Sequence, residues 1–100
     1  MLDYEDAIAT AERELANTDD LPEGDALVLE LQHTIERPFG WVFFYTSRRY
    51  RETGELKYAL AGNAPLIVNR HSGEIVTTGT AKPVEHYIVA YETRLAQIRA

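Results

Sequence analysis

Apolar residues recur along this chain with two periods, and the change of period marks the change of element. Near the N-terminus Tyr4, Ile8, Ala11 and Leu15 stand at i, i+4, i+7 and i+11, one face of a helix with 3.6 residues per turn. Asp3 offers a cap before it, and Glu5 and Asp6 place negative charge at its positive end. Residues 17–24 then read as a loop, rich in Asn, Asp, Pro and Gly. From residue 26 to 34 the period drops to two, with Leu27, Leu29 and Leu31 on one side, which predicts a half-buried strand. Residues 36–40 read as a connector. Residues 41–46 form a second strand in which alternation fails: Trp41, Phe43 and Tyr45 share one face, Val42 and Phe44 the other. Such a strand is either central and covered twice, or keeps one apolar face for a partner. The expectation is that one face packs under the helices and the other is partly exposed or covered by another chain, a homodimer included.

Beyond it lies a polar, basic stretch over residues 47–57 with a turn at Thr53-Gly54, and a helical turn over 56–60 that Gly62 stops. Leu66–Asn69 and residues 74–78 read as strands, with Pro65 at a tolerated strand start. The hairpin loop between them, Arg70-His71-Ser72-Gly73, ends on a glycine where a left-handed residue is commonly required. The last periodic segment is the clearest helix. Pro83 opens it, Val84, Tyr87, Ile88, Tyr91, Leu95 and Ile98 form its stripe, and Arg94 and Arg99 sit near its C-terminal end. The order is α-β-β-β-β-α: an α+β fold, a four-stranded antiparallel sheet with an N-terminal and a C-terminal helix packed on it.

One hundred residues make a single domain, residues 1–100, with a modest core. Cysteine is absent, so disulfides and thiolate chemistry are excluded. The N-terminal residues are acidic, without the basic and apolar regions of a secretory signal, and no apolar run approaches a membrane span. The expectation is a soluble cytoplasmic protein without a membrane partner. Charge changes the picture more than composition does. The net charge is −6, but residues 1–30 hold ten acids and one base, and the rest of the chain is weakly basic. An acidic first third repels nucleic acid and steers a basic partner.

Chemistry-bearing patterns are sparse. His33, His71 and His86 have neither a helix-spaced histidine partner nor a cysteine, so no metal site is expected. Ser47 and Ser72 lack a nucleophile-elbow context, and the glycines do not assemble a phosphate loop. Sixteen acids always allow some carboxylate pair, so that signal is nonspecific. No catalytic residue and no cofactor are assigned. Arg48-Arg49-Tyr50-Arg51 is the basic cluster, read as a solvated strand end or as an internal answer to the acidic first helix.

Four phrases carry a resemblance: Gly40-Trp41-Val42-Phe43, Ala61-Gly62-Asn63-Ala64-Pro65, the hairpin exit Gly73-Glu74-Ile75, and Glu85-His86-Tyr87-Ile88 with Tyr91-Glu92. Together they make the chain resemble the immunity protein 35 family, which includes the YrhB-like proteins, from the first helix to about Tyr91. The resemblance implies a bacterial protein of polymorphic toxin systems that neutralises a cognate toxin by direct binding. For the YrhB-like branch it implies, as the alternative, a small chaperone-type protein that binds unfolded clients. A small enzyme ranks third. The family phrases are fold-making, so no catalytic residue is carried over. The partner-binding candidates are Glu12, Asp19, Asp20 and Glu23 of the acidic third, Phe44 of the aromatic strand, Arg48 and Arg49 of the basic cluster, and Asn63 of the glycine turn.

Overall fold

The computed structural model describes residues 1–17, 24–59 and 64–99. Helix α1 spans Tyr4–Ala16 and opens with a reciprocal cap: the Asp3 carboxylate accepts the Asp6 N–H at 2.8 Å, and the Asp6 carboxylate accepts the Asp3 N–H at 3.3 Å. The buried face is Ala7, Ala11 and Leu15: Ala11 and Leu15 belong to the expected stripe, while Ala7 takes the place expected of Ile8, which is half-buried, and Tyr4 stands at the edge. Two alanines on that face let the helix lie close to the sheet, where the opposing side chains are large.

The sheet is fully antiparallel, as expected, and its strand order is β2 (Ile35–Arg37), β3 (Gly40–Phe43), β5 (Leu66–Asn69), β6 (Ile75–Thr77). The β3–β5 register pairs Trp41 with Val68, Val42 with Ile67 and Phe43 with Leu66. Trp41, Phe43, Leu66 and Val68 therefore share one face and meet Ala7, Ala11 and Leu15 of α1. Val42 and Ile67 share the other and meet Ile88 and Tyr91 of α3 (Val84–Arg99), with Phe39 at the side. The helices lie on opposite faces. The expectation that one face of the aromatic strand awaits another chain is corrected: Trp41, Val42 and Phe43 are all buried inside this chain, because each face has its own helix.

Three stretches depart from the expected elements. The single strand expected over residues 26–34 is broken: β1 covers Leu27–Leu29, a 3-10 turn covers Leu31–His33, and the chain re-enters the sheet as β2 where a connector was expected. The turn carries Leu31 out to solvent, so its place in the alternation is accidental. The strand expected over 41–46 divides at Phe44, and β4 (Tyr45–Ser47) leaves the four-stranded sheet to pair with β1 in a two-stranded one. The basic stretch contains a short helix, α2 (Arg48–Thr53), capped by the Ser47 hydroxyl on the Tyr50 N–H at 3.2 Å and closed by Gly54. A 3-10 turn follows at Leu56–Tyr58. Gly62 and the end of the expected helical turn lie outside the described residues.

The hairpin between β5 and β6 matches its expectation. Gly73 has φ +77 and donates its N–H to the Asn69 carbonyl at 2.9 Å. Gly40 has a different reason to be glycine: at φ +147, a Cβ there would stand 2.0 Å from the Val68 carbonyl oxygen.

Candidate functional site

The chain's polar side chains sort into three groups: two that hold the fold together and one that faces outward. The first holding group sits behind β5. Asn69 is 5% exposed; its Oδ1 accepts the N–H groups of His71 and Ser72 at 2.8 and 3.0 Å, which sets the hairpin loop. Its Nδ2 donates to the Tyr91 hydroxyl at 3.0 Å, that hydroxyl donates to Glu74 at 2.8 Å, and Arg94 donates to the same Glu74 oxygen at 2.7 Å. The hairpin is thereby latched to α3. Burial pushes the Tyr91 phenol above its ordinary range. On the opposite face of the sheet Arg70 spans three strands. Its guanidinium lies 4.6 Å from the centre of the Trp41 ring and donates to the Arg37 carbonyl at 2.9 Å and to Glu36 at 3.0 Å. Both assemblies are built from long-range pairs that no local pattern announces.

The second holding group surrounds the start of α2. The Asp25 carboxylate accepts the Ser47 hydroxyl, the Ala26 N–H and the Arg49 N–H. The Ser47 hydrogen bond, aided by those N–H groups and the Arg49 charge, holds the Asp25 carboxyl below the usual carboxylate range despite some desolvation. Arg48 reaches the Gly24 carbonyl and pairs with Glu52 at 3.7 Å, and Arg49 lies over the Tyr58 ring at 5.6 Å. Of the two readings given to this basic cluster, the answer to the acidic first helix is corrected: Arg48 and Arg49 meet the Gly24 turn and Asp25, not the acids of α1, and Arg48 stays exposed.

The outward group is α1 itself. Glu5, Asp6, Glu12 and Glu14 are all exposed. Glu5 and Glu12, seven residues apart, stand on one side of the helix. Asp6 is engaged in the cap. No cation lies within ion-pair distance of Glu5, Glu12 or Glu14 among the described residues, and Arg13 turns to Thr10 at 3.3 Å. The bases pair elsewhere: Arg37 with Glu85, Arg70 with Glu36, Arg94 with Glu74.

Of the candidate residues, then, Glu12 is on this open acidic face, while Arg48 and Arg49 stand apart from it beside Asp25. Phe44 is half-buried against the Val42 cluster, and its carbonyl accepts the Glu30 N–H at 2.8 Å. Asp19, Asp20, Glu23 and Asn63 lie outside the described residues. Sequence reasoning passed over Glu5 as a partner-facing group because its place in the first turn already explained it. Among the described residues no three His, Asp or Glu side chains cluster closely enough to hold a metal ion, and no helix is long and apolar enough to cross a membrane.

A family model described as immunity protein 35 matches residues 5–90. The chain is also 42% identical over 96 residues to the uncharacterized protein YrhB of Escherichia coli (strain K12), covering 96% of this chain and 95% of that protein. No solved structure matches it. The match runs from the first turn of α1 into the middle of α3, through both faces of the core, and on it the chain belongs to the immunity protein 35 family.

Proposed function

We propose that this chain is a non-catalytic binding protein that neutralises a cognate protein toxin by direct contact, with the open face of α1 as part of the contact surface. The observation that carries the reading is the set of acids on α1 that meet no cation among the described residues, while Arg37, Arg48, Arg70 and Arg94 pair with acids elsewhere. A charge face left open in this way lowers the free energy of encounter with a basic surface and speeds association. Family membership supplies the kind of partner. Inhibition by occlusion needs a rigid scaffold and complementary charge, and requires no acid–base pair or nucleophile.

The test is co-expression with the candidate toxin in a sensitive host. Growth should be restored and the two proteins should co-purify. A variant with Glu5→Gln and Glu12→Gln should fold normally and protect less well. Death of the host despite soluble expression of this chain would end the reading.

A second reading, binding of unfolded clients, is favoured by a different observation. The stripe of α3 continues past the sheet through half-buried Leu95 to Ile98, which is 71% exposed. With Pro38 and Phe39 they line an open groove of about 950 Å³. Suppression of aggregation of unrelated denatured proteins, lost in Ile98→Asp, with no rescue from any toxin, would establish that reading in place of the first.

A further inference from the structure

The two edges of the four-stranded sheet differ. The β2 edge is guarded: Glu36 and Arg37 are charged, Arg37 pairs with Glu85 at 3.6 Å, and the Arg37 carbonyl already accepts Arg70. The β6 edge reads Ile75-Val76-Thr77-Thr78, four β-branched residues without a charge or a proline. Natural edge strands are commonly blunted with such residues, and this one is not.

The hydrogen-bond register shows what the edge offers. The Asn69 N–H donates to the Glu74 carbonyl at 2.9 Å and the Thr78 N–H to the Pro65 carbonyl at 3.0 Å. Bonded pairs alternate in an antiparallel ladder, so Val76, paired with Ile67, turns its own N–H and C=O inward. Ile75 and Thr77 turn theirs outward, where no group among the described residues meets them. Beside the edge runs a groove of about 420 Å³ between β6 and α3, lined in part by Ile67, Val76, Tyr87 and Ala90.

We propose that this edge pairs with the same edge of a second copy of the chain, antiparallel, with Val76 on the two-fold axis. The strand is self-complementary in that register. Ile75 of one copy faces Thr77 of the other, both have outward groups, and the two reciprocal pairs exchange four backbone hydrogen bonds. Thr78 faces Glu74, so no like charges oppose, and Glu74 is already held by Arg94. The two Val76 side chains meet on the α3 face, each beside the other's apolar groove. The result is a continuous eight-stranded sheet whose outer edges are both the guarded β2, so growth stops at two. A three-residue edge buries less than the roughly 1,200–2,000 Å² of an ordinary stable interface, so association is expected to depend on concentration in the accessible range.

Two experiments test this on the full chain. Light scattering across a concentration series should show the mass rising from 11.3 kDa toward about twice that value. Thr77→Pro removes only an outward N–H, a change that edge strands tolerate, and should weaken association at least tenfold with an unchanged circular dichroism spectrum. Thr77→Lys should act in the same direction by guarding the edge, and decides the point if the proline variant does not fold. Because the chain has no cysteine, Val76→Cys supplies a clean cross-link. Two such residues on the axis sit about 4.5 Å apart at Cα, within disulfide range, and should oxidise to a covalent dimer much faster than Thr53→Cys on α2. A monomeric mass at every concentration, a dimer indifferent to Thr77→Lys, or equal cross-linking at positions 76 and 53 overturns the proposal.

Discussion

Removing one hydroxyl from the core tests the latch between the hairpin and α3. In Tyr91→Phe the ring keeps its edge-on packing against Phe39, 5.0 Å between centroids, so no cavity opens. The lost atom is the acceptor for Asn69 Nδ2 and a donor to Glu74. Glu74 is partly exposed and keeps Arg94, so its loss is small. Asn69 is buried and its Nδ2 has no other partner among the described residues, so a donor is left unsatisfied at a cost of about 1–3 kcal/mol. Taking about 2 kcal/mol for a domain of this size, the melting temperature should fall by roughly 8–16 °C. The assay is thermal and urea unfolding followed by the fluorescence of Trp41, the single tryptophan. The same variant carries a pH signature. The folded Tyr91 phenol titrates above its unfolded value of about 10, so its contribution is intact below pH 10 and is lost as pH rises toward the folded value. The parent should lose stability above pH 10 more steeply than Tyr91→Phe, with a remaining slope from Tyr45, whose phenol is also raised by burial. A melting temperature unchanged within about 2 °C, together with identical alkaline profiles, would refute the latch.

Other expectations follow from single contacts. Gly40→Ala drives a Cβ into the Val68 carbonyl and should cost more than about 3 kcal/mol or prevent folding, read by urea denaturation; a parental midpoint would contradict the backbone geometry. Phe43→Ala, at a fully buried position under α1, should cost about 3–5 kcal/mol by the same assay. Asp25→Asn should flatten acid unfolding: the folded carboxyl lies below its ordinary value, so its contribution is present above about pH 4 and is lost as pH falls through the folded value. If the parent and the variant share one acid profile, the Ser47–Asp25 cap is not holding a carboxylate.

Much of this fold is legible in local pattern because local pattern reports what each residue must turn inward. The Gly73 hairpin and the α3 stripe are local in this sense. The double-sided run Trp41–Val42–Phe43 allowed a central strand or a face kept for a partner, and the expectation took the second; the strand is covered on both faces because each helix takes one, which the run alone does not declare. What escaped is set by distance. Nothing near residues 26–34 says that the chain must turn at Leu31 to reach the sheet, since the partner of β1 is β4 and the partner of β2 is β3. Ser47, three residues before Tyr50, is a cap signal for α2, but three arginines within four residues read more simply as a solvated strand end. The assignment of one helix to each face rests on the register of β3 with β5, which no residue declares alone. For the candidate site, charge composition pointed to the N-terminal third. Which of its acids are free for a partner emerged only when Asp3 and Asp6 were seen in the cap and Asp25 against Ser47.

Direct neutralisation stands or falls on a titration of the purified chain into the purified toxin. Toxin activity should fall in proportion to added protein and vanish near one equivalent. The pair should elute as one complex, and the association rate should drop steeply with salt and lose much of that dependence in the variant carrying Glu5→Gln and Glu12→Gln. Full toxin activity in the presence of excess folded protein would contradict it.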